Sequence, residues 1–155
     1  CMGGFITASA AIVDTIRSFA SSFIFTTSLP PAVLAGARAS VEHLKVSDIE
    51  RQRAWRNARH LKSRLDVADL PYMRGDSHIV PLVVGEPNCC REVSNLLMEE
   101  HNVYVQPINY PTVPKGTERL RLTATAAHSL EDVDAMADIL IHMWETHHGL
   151  VRAVA

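Results

Sequence analysis

The chain has 155 residues, of which 47% are hydrophobic, so it can bury the core of one globular domain and is not a disordered segment. Its 15 lysines and arginines and its 17 aspartates and glutamates give a formal net charge of -2, which argues against a general nucleic-acid binder. Its three cysteines include an adjacent pair and no C-x-x-C spacing. They predict neither a disulfide framework nor a zinc site, and they fit a reducing cytosol.

Membrane insertion is not expected. The longest uncharged stretch, residues 19–37, contains two prolines and several serines and threonines, so it is not a membrane span. No cationic segment precedes an apolar run at the start, and we therefore predict no signal peptide. The chain opens on C-M-G-G-F-I, with an apolar run already under way, which is typical of a chain entered in the middle of a larger protein.

The first half of the chain is predicted to be mostly helical. A short apolar segment over 3–9 indicates a strand or a strand end. Apolar residues at helical spacing then predict a helix over 10–20, a loop over 21–31 and a helix over 31–45. A further helix, or a continuation of the same one, is expected from Ser47 to about residue 66.

The second half adds three predicted strands. Residues 78–84 alternate between apolar and polar, and Pro81 makes this segment an edge strand or a bulged one. Two further strands are expected over 103–106 and 119–125. We predict a helix from an Asn88 cap to about residue 101.

Ser129 opens the last predicted helix, with Asp132 three residues on as a weak capping box. The order of elements predicts an α+β fold, with a small antiparallel or mixed sheet covered by helices.

The stretch from Val105 to Arg121 carries the strongest functional pattern. It reads V-Q-P-I-N-Y-P-T-V-P-K-G-T-E-R-L-R, so a stiff loop with three prolines closes on Gly116 and re-enters a strand. Arg119 and Arg121 are two residues apart on that strand and face the same side. One of them could bind a small carboxylate bidentately beside Thr112. The alternative is a pair of solvated surface arginines.

Three consecutive hydroxyls precede the helix predicted to start at residue 31. They belong to Thr26, Thr27 and Ser28. Hydroxyls and backbone N–H groups near a helix start can bind a phosphate. A polar turn with no ligand is the alternative.

Other polar clusters do not indicate a site. Six cations over residues 51–64 leave an apolar stripe between them, which favours a solvated helix face over a nucleic-acid surface. The eight histidines form no H-x-x-x-H with a carboxylate partner, so no metal is predicted. The sequence contains no G-x-S-x-G, and no self-contained catalytic set is evident.

The motifs resemble those of one enzyme family. C-M-G-G-F-I, F-I-F-T-T-S-L-P-P, H-I-V-P and above all Y-V-Q-P-I-N-Y-P-T-V-P-K-G-T-E-R-L-R are similar to the C-terminal part of the 5-aminolevulinate synthases. These belong to the α-oxoamine synthase group of fold-type-I pyridoxal phosphate enzymes. The resemblance covers essentially the whole chain.

The resemblance implies a function and a set of site residues. It implies a homodimer with a shared active site, in which pyridoxal 5'-phosphate condenses glycine with succinyl-CoA to 5-aminolevulinate, CoA and carbon dioxide. By position, Thr26 and Thr27 resemble residues that bind the cofactor phosphate of the neighbouring subunit. Thr112 resembles the residue that contacts the acyl substrate, and Arg121 resembles the arginine that binds the glycine carboxylate. The proline loop resembles the family's mobile lid.

The resemblance also divides the chain. Residues 1–30 are expected to be the end of the large cofactor domain and a dimer-interface segment, and residues 31–155 the C-terminal small domain. The lysine that bonds the cofactor is expected before Cys1, so the chain alone is predicted to be inactive. The family often has prolines where this chain has Ala124 and Ala126.

The resemblance fits a cytoplasmic protein of bacterial type, with no membrane and no nucleic acid as partners. A sister α-oxoamine synthase, such as a glycine C-acetyltransferase, and a non-catalytic dimerisation or regulatory module stay open as alternatives.

Overall fold

The computed structural model describes residues 2–146, and two of the eight histidines, His147 and His148, lie outside this range. The chain divides into two compact units, Cys1–Asp48 and Ile49–Ala155. The assignment of residues 1–30 and 31–155 to parts of a larger enzyme stays a prediction. Between residues 2 and 146, no helix is both long enough and apolar enough to cross a membrane.

The first unit contains three helices: α1 (Ala10–Phe19), α2 (Ser21–Ile24) and α3 (Pro31–Val46). Pro31 occupies the first turn of α3. N–H groups at this position have no partner within the helix, so the missing N–H of proline costs no hydrogen bond. The predicted strand over 3–9 is wrong, because the described part of this segment has no regular secondary structure. A strand needs a neighbour to pair its N–H and C=O groups, and no described strand lies in this unit.

Apolar side chains of the first unit are unusually exposed. None of the residues in its three helices is buried. Phe19 and Phe25 are 80% and 87% exposed. Large exposed apolar groups on one unit indicate a surface that contacts another protein surface.

The second unit is an α+β domain, as predicted. It contains α4 (Ile49–Val67), β1 (Ile79–Val83), α5 (Pro87–His101), β2 (Gln106–Ile108), β3 (Arg119–Thr123) and α6 (Leu130–Thr146). The three strands form one antiparallel sheet in the order β1-β3-β2, so β1 is the edge strand that Pro81 predicted. Helices α4 and α6 contact each other, α4 contacts β1, and α5 contacts β2 and β3.

One face of the sheet forms the core and the other stays open. Leu82 pairs with Leu120 and Val80 with Leu122, and all four side chains are buried. The alternate pairs point the other way, so Arg121 lies between Pro81 on β1 and Gln106 on β2 on the open face. The core is completed by apolar residues of the helices: Ala58, Leu61, Leu65, Cys90, Val93, Leu97, Val133, Ala137, Leu140 and Met143.

Two boundaries around α5 differ from the prediction. The N-cap is Glu86, whose carboxylate accepts the Cys89 N–H at 2.7 Å, whereas Asn88 instead accepts a bond from Arg91. Pro87 at the first helical position fixes this start.

Strand β2 begins three residues later than predicted because residues 102–105 complete the end of α5. Asn102 adopts a left-handed conformation, and the N–H groups of Asn102 and Val103 both donate to Leu97 O. The Ser94 hydroxyl donates to Val105 O at 2.6 Å. These bonds leave the segment unable to join the sheet before Gln106.

The predicted capping box of α6 is confirmed. Ser129 N donates to the Asp132 carboxylate at 2.8 Å, and Asp132 N donates to Ser129 Oγ at 3.0 Å. These bonds satisfy N–H groups that the first turn of a helix leaves free and lower the pKa of Asp132.

Asn57 is a fully buried amide that fastens the segment before α6. Its Nδ2 donates to Thr125 O at 2.9 Å and to His128 O at 2.8 Å. We expect Asn57→Ala to lower the free energy of unfolding by about 1–3 kcal/mol, because two carbonyls lose their donor. Urea unfolding would measure this loss. The exposed Asn88→Ala is the matched control, and an equal effect of the two substitutions would contradict the assignment.

An ionic cluster joins α4 to α6 and predicts acid sensitivity. His60 Nε2 lies 2.8 Å from Asp134 Oδ1, and the Arg64 guanidinium contacts both Asp134 and Asp138. The His60 bond, and then the Arg64 bond, lower the pKa of Asp134 below its ordinary value of 3.8. A lowered folded pKa stabilises the protein above the unfolded value, and this stability is lost as the pH falls through the folded pKa.

The acid-sensitive range of this cluster therefore lies below about pH 4. We expect Asp134→Asn to reduce the loss of urea resistance between about pH 5 and about pH 3. Glu131→Gln, an exposed change in the first turn of α6, should leave the loss unchanged. An unchanged pH profile in Asp134→Asn would contradict the role of the cluster.

Candidate functional site

Two short turns shape the loop between β2 and β3. Thr112 N donates to Asn109 O at 3.0 Å, and Thr117 donates to Pro114 O through its N–H at 3.1 Å and its hydroxyl at 2.7 Å. The peptide bond before Pro111 is cis. Thr112 itself is exposed at the loop surface. Local bonds therefore order the loop around a hydroxyl that stays accessible.

Two charged or aromatic side chains also lie on this loop. Lys115 Nζ lies 5.1 Å from the centre of the Tyr110 ring, within the range of a cation–π contact. Both side chains are exposed. The loop thus presents a cation, an aromatic ring and the Thr112 hydroxyl to an incoming ligand.

The two strand arginines have different environments. Arg119 donates through Nε to Thr117 O at 2.9 Å and through Nη2 to Thr117 Oγ1 at 3.0 Å, and it also contacts Met73 Sδ. Arg121 is exposed, and its guanidinium has no hydrogen-bond or ion-pair partner within residues 2–146. Arg119 therefore holds the end of the loop, and Arg121 is free to bind an anion.

Neutral groups flank Arg121 on the open face of the sheet. Gln106 lies opposite it, accepts a hydrogen bond from the Tyr104 hydroxyl, and donates to Pro107 O at 3.1 Å. Pro81 lies opposite it on the other side. Its two cross-strand neighbours therefore carry no carboxylate that would pair with the Arg121 guanidinium.

Arg121 is also one of the residues that line an open cavity of about 560 Å³ in the second unit. The walls are largely apolar and include Leu61, Val133 and Met136, with His101 among the polar groups. Thr112 does not line this cavity. The described contacts do not join Thr112 to Arg121 directly: Thr112 lies in the β2–β3 loop and Arg121 lies on β3.

Thr26 and Thr27 are exposed in the segment between α2 and α3 of the first unit. Thr26 Oγ1 donates weakly to Thr27 O at 3.3 Å. Thr27 has no hydrogen-bond partner for its hydroxyl or its N–H among the residues that the structure describes. A hydroxyl and an N–H that are both free on an exposed turn can donate hydrogen bonds to a phosphate.

The buried thiol is not a nucleophile. Cys90 is fully buried, and burial raises its pKa to about 11, so the reactive thiolate is scarce near neutral pH. Burial also raises the pKa of Cys89. Both thiols therefore agree with a site that uses no cysteine chemistry.

Glu118 is an important residue that the sequence motifs did not single out. It is fully buried on the core-facing side of the chain, and its Oε2 accepts the Gly116 N–H at 2.9 Å. Its place in the alternation Glu118, Leu120, Leu122 could have indicated a core-facing carboxylate.

The solved structures that resemble this chain define the class of fold. A serine palmitoyltransferase from S. paucimobilis, with bound pyridoxal phosphate–myriocin aldimine, superposes with a TM-score of 0.77 at 27% identity. The match covers 85% of this chain and 33% of that one. An 8-amino-7-oxononanoate synthase from Francisella tularensis shares the fold, with a TM-score of 0.73 at 23% identity over 90% of this chain and 41% of the other. The fold is therefore that of the pyridoxal phosphate transferases.

The chain belongs to the aminotransferase class I and II family, which matches residues 1–140. It is 54% identical to a 5-aminolevulinate synthase of Rhizobium meliloti over 154 residues, which cover 99% of this chain and 38% of the relative. It is 48% identical to the mitochondrial 5-aminolevulinate synthase of Schizosaccharomyces pombe over 93% of this chain and 26% of the relative. The chain thus spans about a third of the length of these synthases.

Proposed function

We propose that this chain forms the glycine-binding and acyl-binding part of a 5-aminolevulinate synthase. The enzyme would condense glycine with succinyl-CoA to 5-aminolevulinate, CoA and carbon dioxide. Pyridoxal phosphate, when bound, supplies the electron sink for a carbanion derived from glycine. The free guanidinium of Arg121 beside an ordered loop is the observation that carries the proposal, in a chain about half identical to such synthases.

Arg121 would bind the glycine carboxylate. Its planar fork suits two parallel hydrogen bonds to a carboxylate, and its uncharged neighbours do not compete for it. Arg119 is less suited to this task, because Thr117 already occupies its donors. The role of Arg121 is to orient glycine, so that the same bond is always presented for cleavage.

Thr112 and its loop would contact the acyl substrate. The Thr112 hydroxyl is exposed at the surface of a loop ordered by its own turns, and it can donate to a carbonyl or carboxylate oxygen. The loop would close over the substrates, exclude water and open for product release.

Thr26 and Thr27 would bind the cofactor phosphate of a neighbouring subunit. The free hydroxyl and N–H of Thr27 support this role, and the exposed phenylalanines of the first unit support a protein partner there. The active site would then be shared in a homodimer. The bacterial relatives favour a cytoplasmic protein of bacterial type.

The proposed function can be tested in a hybrid of this chain and a known 5-aminolevulinate synthase. We expect a hybrid, in which the chain replaces the matching segment of the Rhizobium meliloti synthase, to form 5-aminolevulinate from glycine and succinyl-CoA with pyridoxal phosphate. The 155-residue chain alone should form none, because we propose that none of its three lysines bonds the cofactor. An inactive but folded hybrid, or an active isolated chain, would contradict the proposal.

A sister α-oxoamine synthase is the second candidate, and its support is the structural match to serine palmitoyltransferase. This reading predicts that the hybrid prefers another acyl-CoA to succinyl-CoA. Comparing rates with succinyl-CoA, acetyl-CoA and palmitoyl-CoA distinguishes the two candidates.

A further inference from the structure

Asn109 and Glu118, which are half-buried and fully buried respectively, lie at the two ends of the β2–β3 loop. Ile108 and Arg119 form the last pair of the β2–β3 register, and Asn109 and Glu118 are the residues next to this pair on the loop side. The alternation along β3 places Glu118 on the same face as the buried Leu120, and Glu118 is itself fully buried. We call this Asn109–Glu118 pair the loop neck.

The loop neck is fastened to the rest of the unit at several points. Glu118 O accepts the N–H groups of Val84 at 2.8 Å and Gly85 at 3.0 Å, just after β1. Asn109 Nδ2 donates to Pro87 O at 3.1 Å, at the start of α5. Each side of the neck is therefore bonded to a different element of the sheet-and-helix core.

Glu118 also reaches into the loop. Its Oε2 accepts the Gly116 N–H, and Gly116 has a φ of +81°, a conformation that favours glycine. This bond fixes the point where the loop turns back into β3. The loop that carries Thr112 thus returns over a carboxylate that water does not reach.

The neck contains two buried acceptors that need a donor. Glu118 Oε1 and Asn109 Oδ1 are both buried and have no hydrogen-bond partner among residues 2–146. A buried carboxylate without full compensation costs free energy, so a stability role alone gives a poor account of this residue. The arrangement is better explained if Glu118 holds the loop in a particular geometry.

We propose that Glu118 is a positioning residue, which acts with Asn109 across the loop neck to hold the β2–β3 loop in the shape that presents Thr112 and Arg121. This inference rests on the proposed function for its catalytic consequence. Its structural part concerns this chain alone. The two parts are therefore tested by separate readouts.

Trypsin provides the structural readout, because Lys115 is exposed in the loop immediately before Gly116. In the 155-residue chain, Glu118→Ala should speed cleavage after Lys115 about tenfold, the effect of losing one buried hydrogen bond. Cleavage after Arg38 in α3 should stay unchanged. Glu99→Ala, an exposed change on α5, is the matched control and should change neither rate.

Glu118→Gln provides the rescue. Its Oε1 can still accept the Gly116 N–H, and its neutral amide buries no charge, so cleavage after Lys115 should match the parent chain or be slower. The inference is overturned if Glu118→Ala leaves that cleavage unchanged. It is also overturned if all sites are cleaved faster alike, since Glu118 would then serve only global stability.

The hybrid synthase provides the catalytic readout. Glu118→Ala should raise KM for succinyl-CoA about tenfold while kcat changes less, and Glu118→Gln should restore it. Equal loss of kcat in both variants would overturn the positioning role. An inactive parent hybrid would instead count against the proposed function, and the trypsin result would still decide the role of the loop neck.

Discussion

Replacement of Arg121 by alanine is expected to abolish most of the glycine affinity of the hybrid synthase. Arg121 is exposed in this chain, but in the proposed enzyme the closed loop would exclude water from its pair with the glycine carboxylate, and truncating the arginine of such a pair costs roughly 2–5 kcal/mol. KM for glycine should rise accordingly, and KM for succinyl-CoA should change much less. Steady-state kinetics with each substrate varied in turn would measure both effects.

The matched control is Arg119→Ala, two residues away on the same face of β3. Arg119 donates to Thr117, so its loss should disturb the end of the loop and leave glycine affinity nearly intact. Arg121→Lys should recover only part of the affinity, because an ammonium lacks the bidentate fork. A glycine KM unchanged in Arg121→Ala would contradict the assignment.

The largest stability effect is expected in the core of the second unit. Leu140 on α6 is fully buried within the apolar cluster. Leu140→Ala should lower the free energy of unfolding by about 2–5 kcal/mol, because it removes buried methyl groups and leaves a cavity. Urea unfolding of the 155-residue chain would measure the change.

Met98→Ala is the matched control for that prediction. Met98 lies on α5 in the same unit but is 52% exposed, so its truncation should cost far less. Similar losses in both variants would contradict the position of the core.

The fold of the second unit was largely predictable because most of its helices and strands show the hydrophobic period of their type. Val80, Leu82 and Val84 alternate as a strand with one buried face, and the Ser129–Asp132 capping box begins α6 as expected. These signals are local, because they depend only on residues that are close together in the sequence.

The failures arose where the hydrogen-bond partners of a segment, rather than its composition, decide the structure. Residues 103–105 have the composition of a strand, but they complete the end of α5 through bonds to Leu97 and Ser94. Residues 3–9 are apolar, but the first unit offers them no strand to pair with. Hydrogen-bond partners of this kind cannot be read from composition.

The site was predictable in part. The proline loop and the two arginines were evident from the sequence, but the sequence could not say which arginine was free. That distinction depends on Thr117, whose carbonyl and hydroxyl accept hydrogen bonds from Arg119. The alternation of Glu118 with Leu120 and Leu122 was visible in the sequence, but the bond from the Gly116 N–H to Glu118 Oε2 could be seen only in three dimensions.

The central claim is that this chain supplies the glycine and succinyl-CoA contacts of a 5-aminolevulinate synthase. The most direct measurement is product analysis of the hybrid incubated with glycine and an equimolar mixture of succinyl-CoA, acetyl-CoA and palmitoyl-CoA. A second hybrid, carrying the corresponding serine palmitoyltransferase segment, is the matched control. We expect 5-aminolevulinate as the main product of the first hybrid only. A main product built from acetyl-CoA or palmitoyl-CoA, or equal activity of both hybrids with succinyl-CoA, would contradict it.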